Sequence, residues 1–196
     1  MKNSHIAGLV AVAALVIVGV LLAGGIAWDK WREAPTAKIG GPFQLVDARS
    51  GKTVTDQDYK GKWLLVYFGY THCPDACPTA LNDLSLALDK LGEKRQAMAP
   101  VFITIDPDRD TADVMKDYVA SFAPDIVGLT GTTEQIGQAE KAYRVYAAKH
   151  PTKDGGYDMD HSSIIYVMDP SGRFVTNFTH ETDPEQMAAK LMSLAS

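Results

Sequence analysis

Cysteine is scarce in this chain: there are two in 196 residues, and both fall within Gly69-Tyr70-Thr71-His72-Cys73-Pro74-Asp75-Ala76-Cys77-Pro78. Two sulfurs separated by three intervening residues can close one small disulfide or share one soft metal ion, and composition does not choose between them. Basic clusters are missing as well. The net charge is −5 and no arginine-rich run or basic stripe occurs, which argues against nucleic acid as a partner. Internal repeats and low-complexity tracts are also lacking, so the chain does not read as a repeat array.

One long uncharged run, residues 6–27, is about long enough to cross a bilayer as a single helix. Trp28, Lys30, Trp31 and Arg32 follow it, where amphipathic rings and basic groups settle at a membrane surface. A signal peptide cut after Ala27 is the rival reading, since Gly25 and Ala27 are small, but secretory apolar cores are shorter. Residues 1–28 therefore read as an anchor, residues 29–42 as a Pro/Gly-containing linker, and residues 43–196 as one compact domain. Positive charges lie on both sides of the run, so they do not set its orientation. The export signal and the paired cysteines put the domain outside the cytoplasm.

Within the domain, residues 43–46 and 53–55 flank the turn Arg49-Ser50-Gly51-Lys52, a leading hairpin. The apolar run 63–68, bounded by Gly61 and Gly69, is a strand covered on both faces that delivers the chain to Cys73. Leu81, Leu84, Leu88 and Leu91 recur at helical spacing, giving a helix over residues 78–91 with Pro78 first and Cys77 as its cap. Strands over 101–105, 126–129, 164–168 and 173–178 alternate with helices over 111–122, 133–148 and 185–194. This order is that of a thioredoxin-like α/β fold, with residues 126–160 as an insertion before the last hairpin.

In such folds the residues preceding the last hairpin face the cysteine loop, here Asp160, His161, Ser162 and Ser163. Cys73, Cys77 and His161 would then offer two sulfurs and one nitrogen, a soft set suited to Cu(I). Zinc would need a fourth donor from Asp75, Asp160 or water. A structural disulfide across three residues closes too small a loop to remove much unfolded-state entropy. A thiol-disulfide oxidoreductase remains a rival, although the usual redox pair has two intervening residues. A peroxidase would need an arginine beside a nucleophilic cysteine, and only the distant Arg109 offers one.

Asp106, Asp108 and Asp110 alternate like calcium ligands, but Thr111 stands where a glycine is required and Asp117 where a glutamate is. Asp110 reads instead as the cap of the next helix. His72, adjacent to Cys73, is at most a supporting residue, and Met168 belongs to the core.

The cysteine segment, Ile105-Asp106-Pro107-Asp108-Arg109-Asp110-Thr111 and Asp160-His161-Ser162-Ser163 resemble the Sco/SenC family of copper metallochaperones, over residues 43 to the C-terminus. The resemblance implies Cys73, Cys77 and His161 as copper ligands, with Cu(I) the expected state and Cu(II) left open. It further implies delivery to the binuclear site of cytochrome c oxidase subunit II, with other copper chaperones and a thiol reductant as further partners. The expected location is an inner membrane, single-pass, with the domain on the periplasmic side, or in the intermembrane space of a mitochondrion.

Overall fold

The computed structural model describes residues 38–153 and 155–195. The expected anchor and most of the linker lie outside them. Among the described residues no helix is long and apolar enough to cross a membrane.

Among the described residues nine strands and four α-helices follow in the order β1 Gln44–Asp47, β2 Thr53–Thr55, β3 Trp63–Gly69, α1 Ala76–Asp89, β4 Met98–Thr104, α2 Ala112–Val119, β5 Val127–Thr130, α3 Thr133–Tyr143, β6 Ala147–Pro151, β7 Tyr157–His161, β8 Ile164–Met168, β9 Phe174–Thr179 and α4 Pro184–Leu194. Seven strands form a mixed sheet in the order β2-β1-β5-β4-β3-β8-β9, and β6 pairs with β7 in a separate hairpin. The central strands β3, β4 and β5 are parallel, and β8 runs antiparallel to β3.

The unbroken apolar run of β3 has the cause expected of it: from Leu64 to Gly69 every residue is buried, because helices cover both faces. Tyr67 stacks on Phe102, which meets Tyr118 of α2, whereas Phe68 of the opposite parity packs on Tyr143 of α3. On α1, Cys77, Leu81, Leu84 and Leu88 form the buried stripe, and the helix also packs against α4.

Register places the functional loops. Gly69 of β3 pairs with Thr104 of β4, so the cysteine loop and the Asp-rich loop leave the sheet side by side, tied by the Ile105 amide donating to the Gly69 carbonyl at 2.8 Å. Tyr67 pairs with Ile165, so the start of β8, and the residues just before it, reach the same end of the sheet.

Four sequence expectations change. Helix α1 begins two residues early, with Asp75 as its cap, so Cys77 and Pro78 both lie inside the first turn. Proline is tolerated there because none of the first four amides has an intrahelical acceptor. Thr111, not Asp110, caps α2, accepting from the Val114 amide. Helix α3 ends at Tyr143 instead of running to residue 148, because Arg144 takes a left-handed cap conformation at φ 57°. The chain then turns into β6, and β5 is an integral strand between β1 and β4, so the added structure narrows to the β6–β7 hairpin.

Candidate metal centre

Three elements bring Cys73, Cys77 and His161 together. Cys73 lies in the loop after β3, Cys77 in the first turn of α1, and His161 ends β7. Their donor atoms all lie within 4.8 Å of one another. That spread is close to twice a metal–sulfur bond of about 2.3 Å, so small side-chain adjustments suffice to close on one ion. Cys77 Sγ and His161 Nε2 are 3.4 Å apart.

The two sulfurs are unlike. Cys77 is fully buried, with the Tyr67 hydroxyl 3.7 Å from its sulfur. Cys73 is partly exposed, and its sulfur accepts from the Cys77 amide at 3.3 Å, taking the place of a side-chain cap that Asp75 does not provide. The bond from the Cys77 thiol holds the Cys73 pKa down to about 3, against the upward push of burial, with His161 and the amides of Asp75 and Cys77 adding to the fall. Its bond to Cys73, then burial, pushes Cys77 up. The partly exposed sulfur is thus the one whose thiolate form the site favours, and the buried sulfur the one whose thiol form it favours.

His161 is oriented by its other nitrogen. Nδ1 lies 3.1 Å from the Ser162 carbonyl; donating to it leaves Nε2 as the lone-pair nitrogen facing the sulfurs. The edges of Tyr67 and Tyr70 enclose the ring at centroid distances of 6.2 and 5.9 Å. Gly69 is required beneath the site, since a Cβ there would stand 2.6 Å from Cys77 Sγ and 2.7 Å from Phe102. Among the described residues no carboxylate joins the three donors, and Asp160 instead pairs with His150 at 2.8 Å. Two sulfurs and one nitrogen fit a soft ion of low coordination number better than zinc.

The Asp-rich loop braces this arrangement, a role the sequence reading did not assign. Buried Asp110 accepts from the Thr71 amide and hydroxyl at 3.0 and 2.6 Å and from the Thr104 hydroxyl at 2.7 Å, fixing the start of the cysteine loop. Asp106 accepts from Tyr157 at 2.8 Å and pairs with Arg109, whose guanidinium lies 3.8 Å from the Tyr157 ring centroid and donates to the Tyr157 carbonyl. One short loop thus holds the cysteine loop with one acid and the root of β7, the strand of His161, with another. The alternating acids were the visible signal, but their partners, Thr71 and Tyr157, are distant in sequence. His72 points to Thr71 and Asp110 rather than to the three donors, and Met168 is core.

A thioredoxin-like domain with a Cys-x3-Cys loop and a histidine brought in from before the last hairpin is the class that fold and site define. The SCO1/SenC family model matches residues 32–196, and the chain belongs to that family. It is 42% identical over 166 residues to the human mitochondrial SCO1 homolog, covering 83% of this chain and 55% of that protein. Similarity to SenC of Rhodobacter capsulatus is 39% over 196 residues, covering 95% of this chain and 88% of that protein. The chain spans about half the length of the human and Arabidopsis relatives. Among solved structures, copper-bound ScoI of Bradyrhizobium japonicum is 50% identical with a TM-score of 0.75, over 80% of this chain and 99% of that one. Copper-bound yeast Sco1 is 39% identical, with a TM-score of 0.74 over 80% of this chain and 87% of that one.

Proposed function

We propose that this protein binds copper through Cys73, Cys77 and His161 and passes it to an acceptor in cytochrome c oxidase assembly, the binuclear copper site of subunit II. The convergence of three soft donors from a loop, a helix and a hairpin carries the reading. Copper-bound relatives at 50% and 39% identity support it. Cu(I) is the state best matched by two thiolates and an imidazole. A partly exposed Cys73 beside a buried Cys77 lets one sulfur exchange ligands while the other retains the ion. Transfer of two electrons from the thiolates to a partner's disulfide would remove both sulfur donors at once and release the metal.

Anaerobic titration of the reduced full-length chain with Cu(I), followed by X-ray absorption, tests the assignment. Two sulfurs and one nitrogen at copper are expected, with His161→Ala losing the nitrogen; unchanged affinity in Cys77→Ala would sink it. A second reading, thiol-disulfide exchange with exported proteins, is favoured by the lowered pKa of Cys73 alone. Insulin reduction with negligible Cu(I) affinity would select it.

The reading includes an inner-membrane anchor at residues 1–28 and a linker at 29–42, supported by the apolar run at 6–27. The domain then stands on the periplasmic side, or in the intermembrane space of a mitochondrion. Protease added to spheroplasts should digest it; protection would reverse the orientation.

A further inference from the structure

A groove of about 370 Å³ opens directly beside the cysteine–histidine cluster. Tyr67 and Ser163, whose hydroxyls lie 3.1 Å apart, form its inner wall, and the Tyr67 hydroxyl also reaches Cys77. Asp75 and Ala76, from the segment between the two cysteines, line it too. Groove and metal centre therefore share a wall. Its apolar part comes from Ala80 on α1, Ile165 on β8, Phe178 on β9 and Met187 on α4. This volume accommodates one or two large side chains.

Its rim has a sign. Asp75, Thr79 and Asp83 follow at four-residue intervals along one side of α1, so the two carboxylates flank the opening together. Asp75 receives only a long bond from the Thr79 hydroxyl, and neither acid is paired with a cationic side chain among the described residues. Elsewhere on the same helix Asp89 is paired with Arg95. The basic side chain on the lining is His180. An apolar floor with two uncompensated acids at its mouth complements a ligand with an apolar side chain followed by lysine or arginine.

We infer that this groove receives an extended segment of the partner protein, an apolar side chain flanked by a lysine or arginine, and so holds the partner's sulfur or metal ligand against Cys73. The inference rests on the exchange chemistry proposed for the cysteine pair and adds the identity of what docks beside it. The apolar residue fills the space between α1, β8, β9 and α4. The cation sits between Asp75 and Asp83. The segment then runs past Ala76 toward the partly exposed sulfur, while buried Cys77 stays out of reach.

The test uses reduced full-length protein and two synthetic peptides, each carrying one cysteine activated as its mixed disulfide with thionitrobenzoate. One has Leu-Lys beside that cysteine and the other Leu-Glu. The Cys73 thiolate attacks the peptide sulfur, a Cys73–peptide disulfide forms, and thionitrobenzoate leaves as a coloured thiolate that reports the rate. The lysine peptide should react about three- to tenfold faster, as expected for pairing with partly exposed acids. Asp83→Lys should remove or invert that preference, and Asp83→Asn should reduce it. Glu134→Lys, the same charge change at an exposed position of α3, should leave it intact. Equal rates in the parent protein would overturn the inference, as would a preference unaltered in Asp83→Lys or reduced equally by Glu134→Lys. Self-association abolished by Asp83→Lys would place a second copy of the chain in the groove and would likewise overturn it. Cu(I) titration of the same variants separates the two readings. Failure of the parent protein to take up Cu(I), with peptide preference retained, removes the copper assignment and leaves the groove; normal uptake without preference does the reverse.

Discussion

Gly69 is where chain conformation and site chemistry press most closely on each other. Its missing side chain leaves room for the Cys77 sulfur on one side and the Phe102 ring on the other. Gly69→Ala should therefore cost about 1–3 kcal/mol in chemical denaturation, the range for overpacking a core. It should also weaken Cu(I) binding more than a remote substitution of equal cost, because the displaced atom is the Cys77 sulfur proposed as a ligand. Asp110 is the second residue on which much depends. Asparagine there keeps the shape but replaces one accepting oxygen with a donor, facing Thr71 and Thr104, which already donate. A loss of about 2–3 kcal/mol is expected, and amide exchange should accelerate first in the cysteine loop. Neither role could be read from the chain. Gly69 looked like a strand boundary and Asp110 like a helix cap, because the groups that define them lie 8 and 39 residues away in sequence or belong to a neighbouring strand.

Among the elements, helices and central strands were legible, whereas the hairpin that carries His161 was not. Leu81, Leu84 and Leu88 mark α1 by period, and the run at β3 marks a strand by its unbroken apolarity. Residues 144–148 mislead because Ala147 and Ala148 favour helix, while Arg144 occupies a cap position usually signalled by glycine. Pairing with β7, including Ala147 opposite His161, overrides that local preference. The β8–β9 turn was readable from Asp169-Pro170-Ser171-Gly172, and its acid has a measurable consequence. Burial pushes the Asp169 carboxyl up, but hydrogen bonds from the Ser171 hydroxyl and the Arg173 amide and guanidinium, with the Ser171 amide, outweigh it and hold the pKa at about 2. A carboxylate lowered in the folded state stabilises fully above its unfolded pKa, and that contribution fades as pH falls from about 4 towards 2. Denaturation midpoints across that window should fall less steeply in Asp169→Asn than in the parent protein.

For the whole molecule, metal loading and folding are linked, because the three donors converge only when β3, α1 and β7 are in place. At free Cu(I) about one hundred times the dissociation constant, binding adds about 2.7 kcal/mol. In a domain of this size that raises the melting temperature by about 5–10 °C. Calorimetry of the anaerobic protein should show the shift, and Cys77→Ala should abolish it. By itself the sequence determined the mixed α/β order of elements and the place of the cysteine pair at the end of a buried strand, both of which follow from local periodicity or a short motif whose members are near neighbours. His161, 84 residues from Cys77, entered as a candidate donor only through the order of elements and the family resemblance. Tertiary structure alone decided that Cys77 is buried and Cys73 accessible, that Asp106 and Asp110 brace opposite sides of the site, and that an acid-rimmed groove shares its wall. Those properties depend on strand register, which brings the ends of β3 and β4 and the start of β8 to one end of the sheet, and register is a relation between segments that no single stretch of chain contains.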